Sequence, residues 1–185
     1  MIETEYDVIV AGYGPVGETC ANLLGYYGIK ALILDKEKNA YPLPRAITWD
    51  AECQRAMSHC EFLSEVKTRK IRGVDNKDAN KKSIMKITME GFDTYNYQHR
   101  ILFIHQPQFD EAHRENAKKY STNTIKTGSE LLAVDEINGI VNCTYKDIET
   151  NEQFKVTSKY LLACDGANST VRKLNNIKLN SLDAD

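Results

Sequence analysis

Three glycines and one carboxylate carry the chemistry most readily read from this chain. Gly12, Gly14 and Gly17 stand in Gly12-Tyr13-Gly14-Pro15-Val16-Gly17, directly after the apolar run Tyr6 to Ala11. A glycine at the first position permits a tight turn. At the second it lets the backbone approach a diphosphate, and at the third it lets a helix pack closely on the preceding strand. A helix opening at Pro15 and Val16 points free N–H groups and a partial positive charge at phosphate oxygens. Pro15 suits that first turn, where its missing N–H costs nothing. Asp35 follows 35 − 17 = 18 residues after Gly17, with Lys36 behind it. A carboxylate there accepts hydrogen bonds from ribose hydroxyls and repels a 2′-phosphate, so FAD or NAD is expected rather than NADP. The bland alternative is a set of glycines that serve packing only, since the motif alone is weak and gains weight from its context.

That context is a βαβ unit. Tyr6 to Ala11 reads as a buried strand. Val16, Cys20, Leu23, Leu24 and Tyr27 recur at helical spacing and predict the apolar face of a helix that Gly28 stops in the left-handed conformation. Ile29 to Leu34 reads as a second strand closed by Asp35, and the three elements together require a parallel sheet. Lys36 to Pro44 is a loop. Asp50 to about Cys60 reads as a helix with Ala56, Met57 and Cys60 as its apolar contacts. Residues 64–82, rich in Lys and Arg and without a period, read as a solvated connector. Strands are expected at Ile84 to Met89 and Tyr95 to Ile104. Pro107 opens a helix with the stripe Phe109, Ala112, Ala117 and Tyr120. Further strands are expected at Thr124 to Asp135, Ile140 to Lys146, Gln153 to Thr157 and Tyr160 to Cys164, with Asn138-Gly139 as a hairpin turn. Asp165-Gly166 then turns the chain into a short helix.

Composition limits the partners. The chain has 185 residues and a formal net charge of -2, which argues against nucleic acid. No apolar run approaches the roughly 18 residues that cross a bilayer. The five cysteines, Cys20, Cys53, Cys60, Cys143 and Cys164, show no CxxC pair and no zinc-ligand spacing, and Cys20, Cys143 and Cys164 read as small core residues. An acidic amino terminus without a signal-peptide pattern completes the expectation of a reduced, cytoplasmic protein.

Three stretches resemble the FAD-dependent aromatic hydroxylases, the para-hydroxybenzoate hydroxylase-like flavoprotein monooxygenases, and within them the phenol, resorcinol and hydroxyphenylpropionate hydroxylases. The first is the glycine motif with Asp35-Lys36; many relatives have Glu at the position of Asp35. The second pairs Tyr41-Pro42-Leu43-Pro44-Arg45-Ala46, similar to the family's Pro-Arg-Ala loop, with Gln106-Pro107 and Asp110-Glu111, similar to its Gln-Pro segment. The third is Leu161 to Arg172, similar to the family's Asp-Gly motif at Asp165-Gly166, with Ala163 where many relatives have Gly. The resemblance implies an α/β fold: a Rossmann-like FAD-binding domain over residues 1–185, its parallel sheet continued by a β-meander, with residues 64–105 as an insertion on the substrate-binding side. It implies that Arg45 reaches the flavin nucleotide, that Gln106 bonds the ribityl region, and that Asp165 and Gly166 lie near the pyrophosphate, with Ser169 and Arg172 bracing their turn.

The activity so implied is oxygenation of a phenol-like ring, with NADH or NADPH as electron donor and FAD as the chemical agent. No catalytic acid or base is assigned, and His59, His99, His105 and His113 carry no role. The family's later Gly-Asp motif has no counterpart, since no Gly-Asp dipeptide occurs. A truncated or split hydroxylase is therefore expected, with association through the surface its other half would cover. Two other readings stand beside it. One is a halogenase or isoprenoid-chain reductase on the same scaffold; the other is a non-enzymatic FAD- or NAD-binding module.

Overall fold

The computed structural model describes residues 5–60, 66–89 and 101–180. In chain order the elements begin with β1 (Tyr6–Ala11), α1 (Pro15–Tyr26) and β2 (Ala31–Asp35). Next come β3 (Thr48–Asp50), α2 (Ala51–Ala56), β4 (Arg69–Lys70), β5 (Gly73–Lys77), β6 (Ser83–Thr88) and β7 (Ile101–Phe103). Then follow α3 (Gln106–Lys118), β8 (Asn123–Thr127), β9 (Ser129–Ile137), β10 (Ile140–Asp147), β11 (Gln153–Ala163) and α4 (Thr170–Leu174). Two compact units result: Met1–Tyr41 with His113–Asp185, and Pro42–Ala112. No helix among the described residues is long and apolar enough to cross a membrane.

The first unit is built on a six-stranded sheet in the order β8-β2-β1-β11-β10-β9. β1 pairs in parallel with β2 and β11, and β2 in parallel with β8. β11, β10 and β9 run antiparallel as a meander. Strand alternation sends Ile9, Ala11, Leu32 and Leu34 into one core with Leu131, Tyr145 and Val171. Val8, Val10, Ala31 and Ile33 enter the other with Ala21 and Ala117. Coverage on both faces is why β1 and β2 read as continuous apolar runs rather than alternating ones.

Five expectations change here. The Thr124 to Asp135 run is two strands, because Gly128 takes φ +70° and turns the chain between a parallel partner and an antiparallel one. The runs Gln153 to Thr157 and Tyr160 to Cys164 are a single strand. Its polar Ser158 is fully buried, pairing with Tyr6 on one side and Val141 on the other. The apolar stripe expected on α1 is only partly its buried face: Cys20 and Leu24 pack against the core, but Val16 and Tyr27 are exposed, and the fully buried residues are Gly17, Glu18, Ala21, Asn22 and Gly25. Small residues let α1 pack closely on its neighbours: a Cβ at Gly25 would sit 2.4 Å from the ring of Tyr120, which lies between α3 and β8. The Asn138-Gly139 hairpin turn is as expected, with φ of +53° and +77° joining β9 to β10.

The fourth and fifth changes are in the second unit. The connector expected over residues 64–82 contains β4 and β5, whose residues are exposed. β4 and β3 flank β7 in a three-stranded antiparallel sheet, and β5 pairs with β6 alone. Residues 95–100 of the Tyr95 to Ile104 strand lie outside the described residues, and Ile101–Phe103 is strand as expected. α2 is shorter than the Asp50 to Cys60 reading; Met57 and Cys60 are buried past its end and Ala56 is exposed. Trp49 meets Phe109 edge-on at 4.9 Å within this unit's core.

Candidate functional site

The end of β1 dictates the first turn. The Gly12 N–H donates to the Leu34 carbonyl at 2.7 Å, and Gly12 takes φ +99°. A Cβ there would lie 2.4 Å from the Cys164 carbonyl oxygen, and one at Gly17 would lie 1.9 Å from the Gly12 oxygen. Both glycines are therefore required by the chain itself: one by backbone conformation and contact, the other by contact alone. Gly14 is different. It has the ordinary extended angles φ −85° and ψ −171°, and a Cβ on it would meet nothing within 4 Å. Gly14 is the N-cap of α1 and no side chain caps that helix, whereas Asp50 caps α2 and Ser169 caps α4. Pro15 and Val16 are exposed beside it. An uncapped helix start with open space over a glycine suits an external anion.

Asp35 closes β2 beside this turn. Its carboxylate accepts from the Tyr13 N–H at 2.5 Å and from the Glu37 N–H at 2.7 Å, which ties the tip of β2 to the glycine turn. Lys36 is exposed behind it.

Beneath the turn lies a polar cluster that the sequence reading missed. Tyr13 is buried under the Arg114 guanidinium, 4.6 Å from its ring centroid. Arg114 donates through Nη2 to the Tyr13 carbonyl and through Nε to Glu18 Oε1 at 2.7 Å. Glu18 is buried in the first turn of α1, where the helix dipole favours a carboxylate. Asn22 Nδ2 donates to the Glu18 and His113 carbonyls, and Asn116 donates to Asn22 Oδ1. The His113 ring lies 3.8 Å from Glu18 Oε2, and burial pushes its pKa down to about 4. Burial likewise pushes the Tyr13 phenol up. One signal could have located this cluster. Gly17, Ala21 and Gly25 recur every four residues and mark the sheet-facing side of α1, which puts Glu18 and Asn22 on its buried flank.

The Asp165-Gly166 turn meets the same place from the other strand. The Cys164 N–H donates to the Ala11 carbonyl at 2.7 Å, so the parallel ladder of β1 and β11 carries Asp165 to Gly12. Asp165 Oδ2 accepts from the Thr170 and Val171 N–H groups at 2.5 and 3.0 Å, while its Oδ1 is buried with no hydrogen-bond partner among the described residues. Gly166 takes φ +76° with open space around it. Ser169 Oγ accepts from the Arg172 N–H at 3.0 Å and caps α4. Contrary to the expectation that Arg172 braces this turn, its Nη1 donates to the Ile177 carbonyl past the end of α4.

In the second unit, Gln106 is buried at the start of α3. Its Oε1 accepts from the Arg45 and Ala46 N–H groups at 2.6 and 2.7 Å, and its Nε2 donates to Asp110 at 3.3 Å. The two family-like segments, Pro-Arg-Ala and Gln-Pro, are thus joined through one amide. Arg45 itself is exposed. Asp110-Glu111 falls past the first turn of α3, which holds no acidic residue, so the expected helix-opening acid is instead the partner of Gln106. His59 and His105 are exposed, and His99 lies outside the described residues. Among the described residues no three His, Cys, Asp or Glu side chains group as metal ligands.

Known proteins match this arrangement over nearly its whole length. The family model described as FAD binding domain matches residues 5–184. The 3-(3-hydroxy-phenyl)propionate/3-hydroxycinnamic acid hydroxylase of Comamonas testosteroni is 29% identical over 177 residues, covering 95% of this chain and 30% of that protein. The hydroxylase of the same name from Escherichia coli is 31% identical over 175 residues, covering 92% and 30%. The chain therefore spans 30% of the length of these curated relatives. Among solved structures, p-nitrophenol 4-monooxygenase from Pseudomonas putida superposes with a TM-score of 0.85 at 22% identity, over 98% of this chain and 46% of that one. Anhydrotetracycline hydroxylase from Streptomyces rimosus superposes with a TM-score of 0.75 at 26% identity, over 96% and 35%. With the glycine turn, the β2 carboxylate and the Asp-Gly turn converging on one end of a parallel sheet, the chain belongs to the FAD binding domain family.

Proposed function

We propose that this chain is the FAD-binding portion of an NAD(P)H-dependent monooxygenase that hydroxylates a phenolic or other aromatic substrate. The observation that carries the reading is Gly14: neither its backbone angles nor its neighbours need a glycine, and a diphosphate over the start of α1 does. In this reading the backbone from Gly12 to Gly17, including Pro15 and Val16, receives the diphosphate. Asp35 and Lys36 face the adenosine sugar. Asp165 offers its unpartnered Oδ1 to a cofactor hydroxyl, beside Gly166. Arg45 supplies a planar fork of donors for nucleotide oxygens. Gln106 holds the Arg45 loop with both lone pairs of its oxygen and has one amide N–H left for a ribityl oxygen.

Bound FAD would supply the redox and oxygen chemistry. This chain's own residues bind it, orient it and fix the turn beneath it. NADH or NADPH is the proposed electron donor. The aromatic substrate is drawn from the activities of the hydroxylase relatives, and residues 64–105 are assigned to its side of the protein. A cytoplasmic location belongs to the same reading, supported by five free thiols.

The test is Gly14→Ala. Purified wild-type protein titrated with FAD is expected to show saturable quenching of flavin fluorescence. G14A is expected to lose at least tenfold in affinity while its unfolding free energy falls by no more than about 1 kcal/mol, the cost of alanine in place of glycine at an N-cap. Unchanged FAD affinity in G14A, or a wild-type protein that binds NAD and not FAD, would overturn the reading.

A further inference from the structure

The proposed cofactor contacts leave Cys20 and Cys164 without a role. Cys20 lies on α1 and Cys164 directly follows β11. They are 144 residues apart in sequence, yet their sulfurs are 3.9 Å apart. Both are partly exposed, and both pack against the core on the α1 side of the sheet. The other three cysteines are elsewhere: Cys143 is buried in the opposite core, and Cys53 and Cys60 belong to the second unit. A disulfide needs the sulfurs about 2 Å closer than this.

We propose that Cys20 and Cys164 are a hydroperoxide-reactive thiol pair that forms a reversible disulfide beneath the glycine turn. Cys20 is the attacking sulfur. Either sulfur can donate the S–H between them; with Cys20 as acceptor that bond holds the Cys20 thiol below its ordinary value, against the opposing effect of burial. The same hydrogen bond, burial and the neighbouring Asp165 carboxylate push Cys164 up. The thiolate of Cys20 attacks one peroxide oxygen, the O–O bond breaks, and hydroxide or alkoxide leaves with its electron pair to take up a proton. Cys20 is then a sulfenic acid. Cys164 attacks that sulfur, its own proton leaves with the displaced hydroxide as water, and the S–S bond forms. Overall two thiols are oxidised and one hydroperoxide is reduced, giving one water and one water or alcohol. A small dithiol restores both cysteines by exchange. The bond would join α1 to the segment entering Asp165. A Cβ on Gly17 would already lie 3.6 Å from the Cys164 Cβ, so the crosslink sits against the turn proposed to hold the diphosphate. A cytoplasmic disulfide of this kind is transient rather than structural.

The test uses the wild-type protein without added flavin, so its outcome is independent of the FAD reading. Treatment with a small excess of hydrogen peroxide, then alkylation under denaturing conditions, is expected to lower the titratable thiols from five to three (5 − 2). A non-reducing peptide map should show Cys20 linked to Cys164, with full recovery after dithiothreitol. C164S is expected to stop at a dimedone-reactive Cys20, and C53S to behave as wild type. Recovery of Cys20 and Cys164 as separate alkylated peptides, with peroxide consumed at Cys53 or not at all, would overturn the proposal. The wild-type map decides the matter even if a variant does not fold.

Discussion

Glu18 and Arg114 show how much a single buried charge can demand. Glu18 is 1% exposed, and a carboxylate at that depth is tolerated only when paired. Arg114 supplies the pair and also holds the Tyr13 carbonyl inside the glycine turn. Removing the guanidinium takes away the cation that faces the buried Glu18 carboxylate, so Arg114→Met is expected to lower stability by on the order of 3 kcal/mol, toward the low end for broken buried pairs. The double variant E18Q/R114M should cost clearly less than the sum of the two single changes, because no charge is then left alone. Urea denaturation of the four proteins measures this, and strict additivity would show that the two side chains do not act together.

His113 sets an acid limit on the same cluster. Its pKa falls from the ordinary 6.5 to about 4 because burial disfavours the imidazolium. The unfolded chain therefore binds the proton more readily than the folded one between these values. The stability it contributes is fully present above about pH 6.5 and is lost as the pH falls toward 4. The whole window is worth on the order of 3 kcal/mol. Denaturation midpoints at stepped pH values should decline across that window in wild type and stay flatter in H113Q. Asp7 and Asp147 are held below their ordinary range by hydrogen bonds, to Lys159 and to the Thr150 N–H respectively, and act only at lower pH.

At the scale of elements, α1 is positioned by what it lacks. Its most buried residues are small or hydrogen-bonded, Cys20 and Leu24 pack at the edge of the core, and Val16 and the C-cap Tyr27 are exposed. Gly25→Ala sets two effects against each other. Helix propensity favours alanine by about 1 kcal/mol. Against that, the new Cβ would lie 2.4 Å from Tyr120 at the root of its ring, where the side chain cannot swing clear. Overpacking of this kind costs about 1–3 kcal/mol, so net destabilisation is expected. A thermal melt of G25A above wild type would mean that Tyr120 yields more readily than its position suggests. Element lengths in this sheet follow turn chemistry. Gly128 splits one apparent strand into two by its positive φ, and nothing of that kind interrupts β11, so two apparent strands are one. The glycine was visible in the sequence. That Ser158 would be buried between two partners was not, because a polar residue reads as exposed until both neighbouring strands are known.

For the whole molecule, order should follow burial. Every residue of β5 and β6 is exposed, whereas Ile9, Val10, Ala31 and Ile33 of β1 and β2 are at 0%. Backbone amides protected only by a solvated two-stranded ladder open at low cost, and those in a doubly covered central strand open only on global unfolding. Native-state hydrogen exchange is therefore expected to be fastest in β5 and β6 and slowest in β1 and β2. Comparable protection in both would show that the hairpin is covered in solution. What the sequence alone determined was local: the φ-demanding glycines, the apolar runs of β1 and β2, the Asn138-Gly139 turn, and the Asp35 and Asp165 carboxylates at strand ends. These signals lie within a few residues of what they encode. Only the tertiary structure decided that Glu18 meets Arg114, that Gln106 fastens the Arg45 loop, and that Cys20 faces Cys164. Those pairs are 96, 61 and 144 residues apart, and residues so distant become neighbours only through sheet order and helix packing, which no local pattern records.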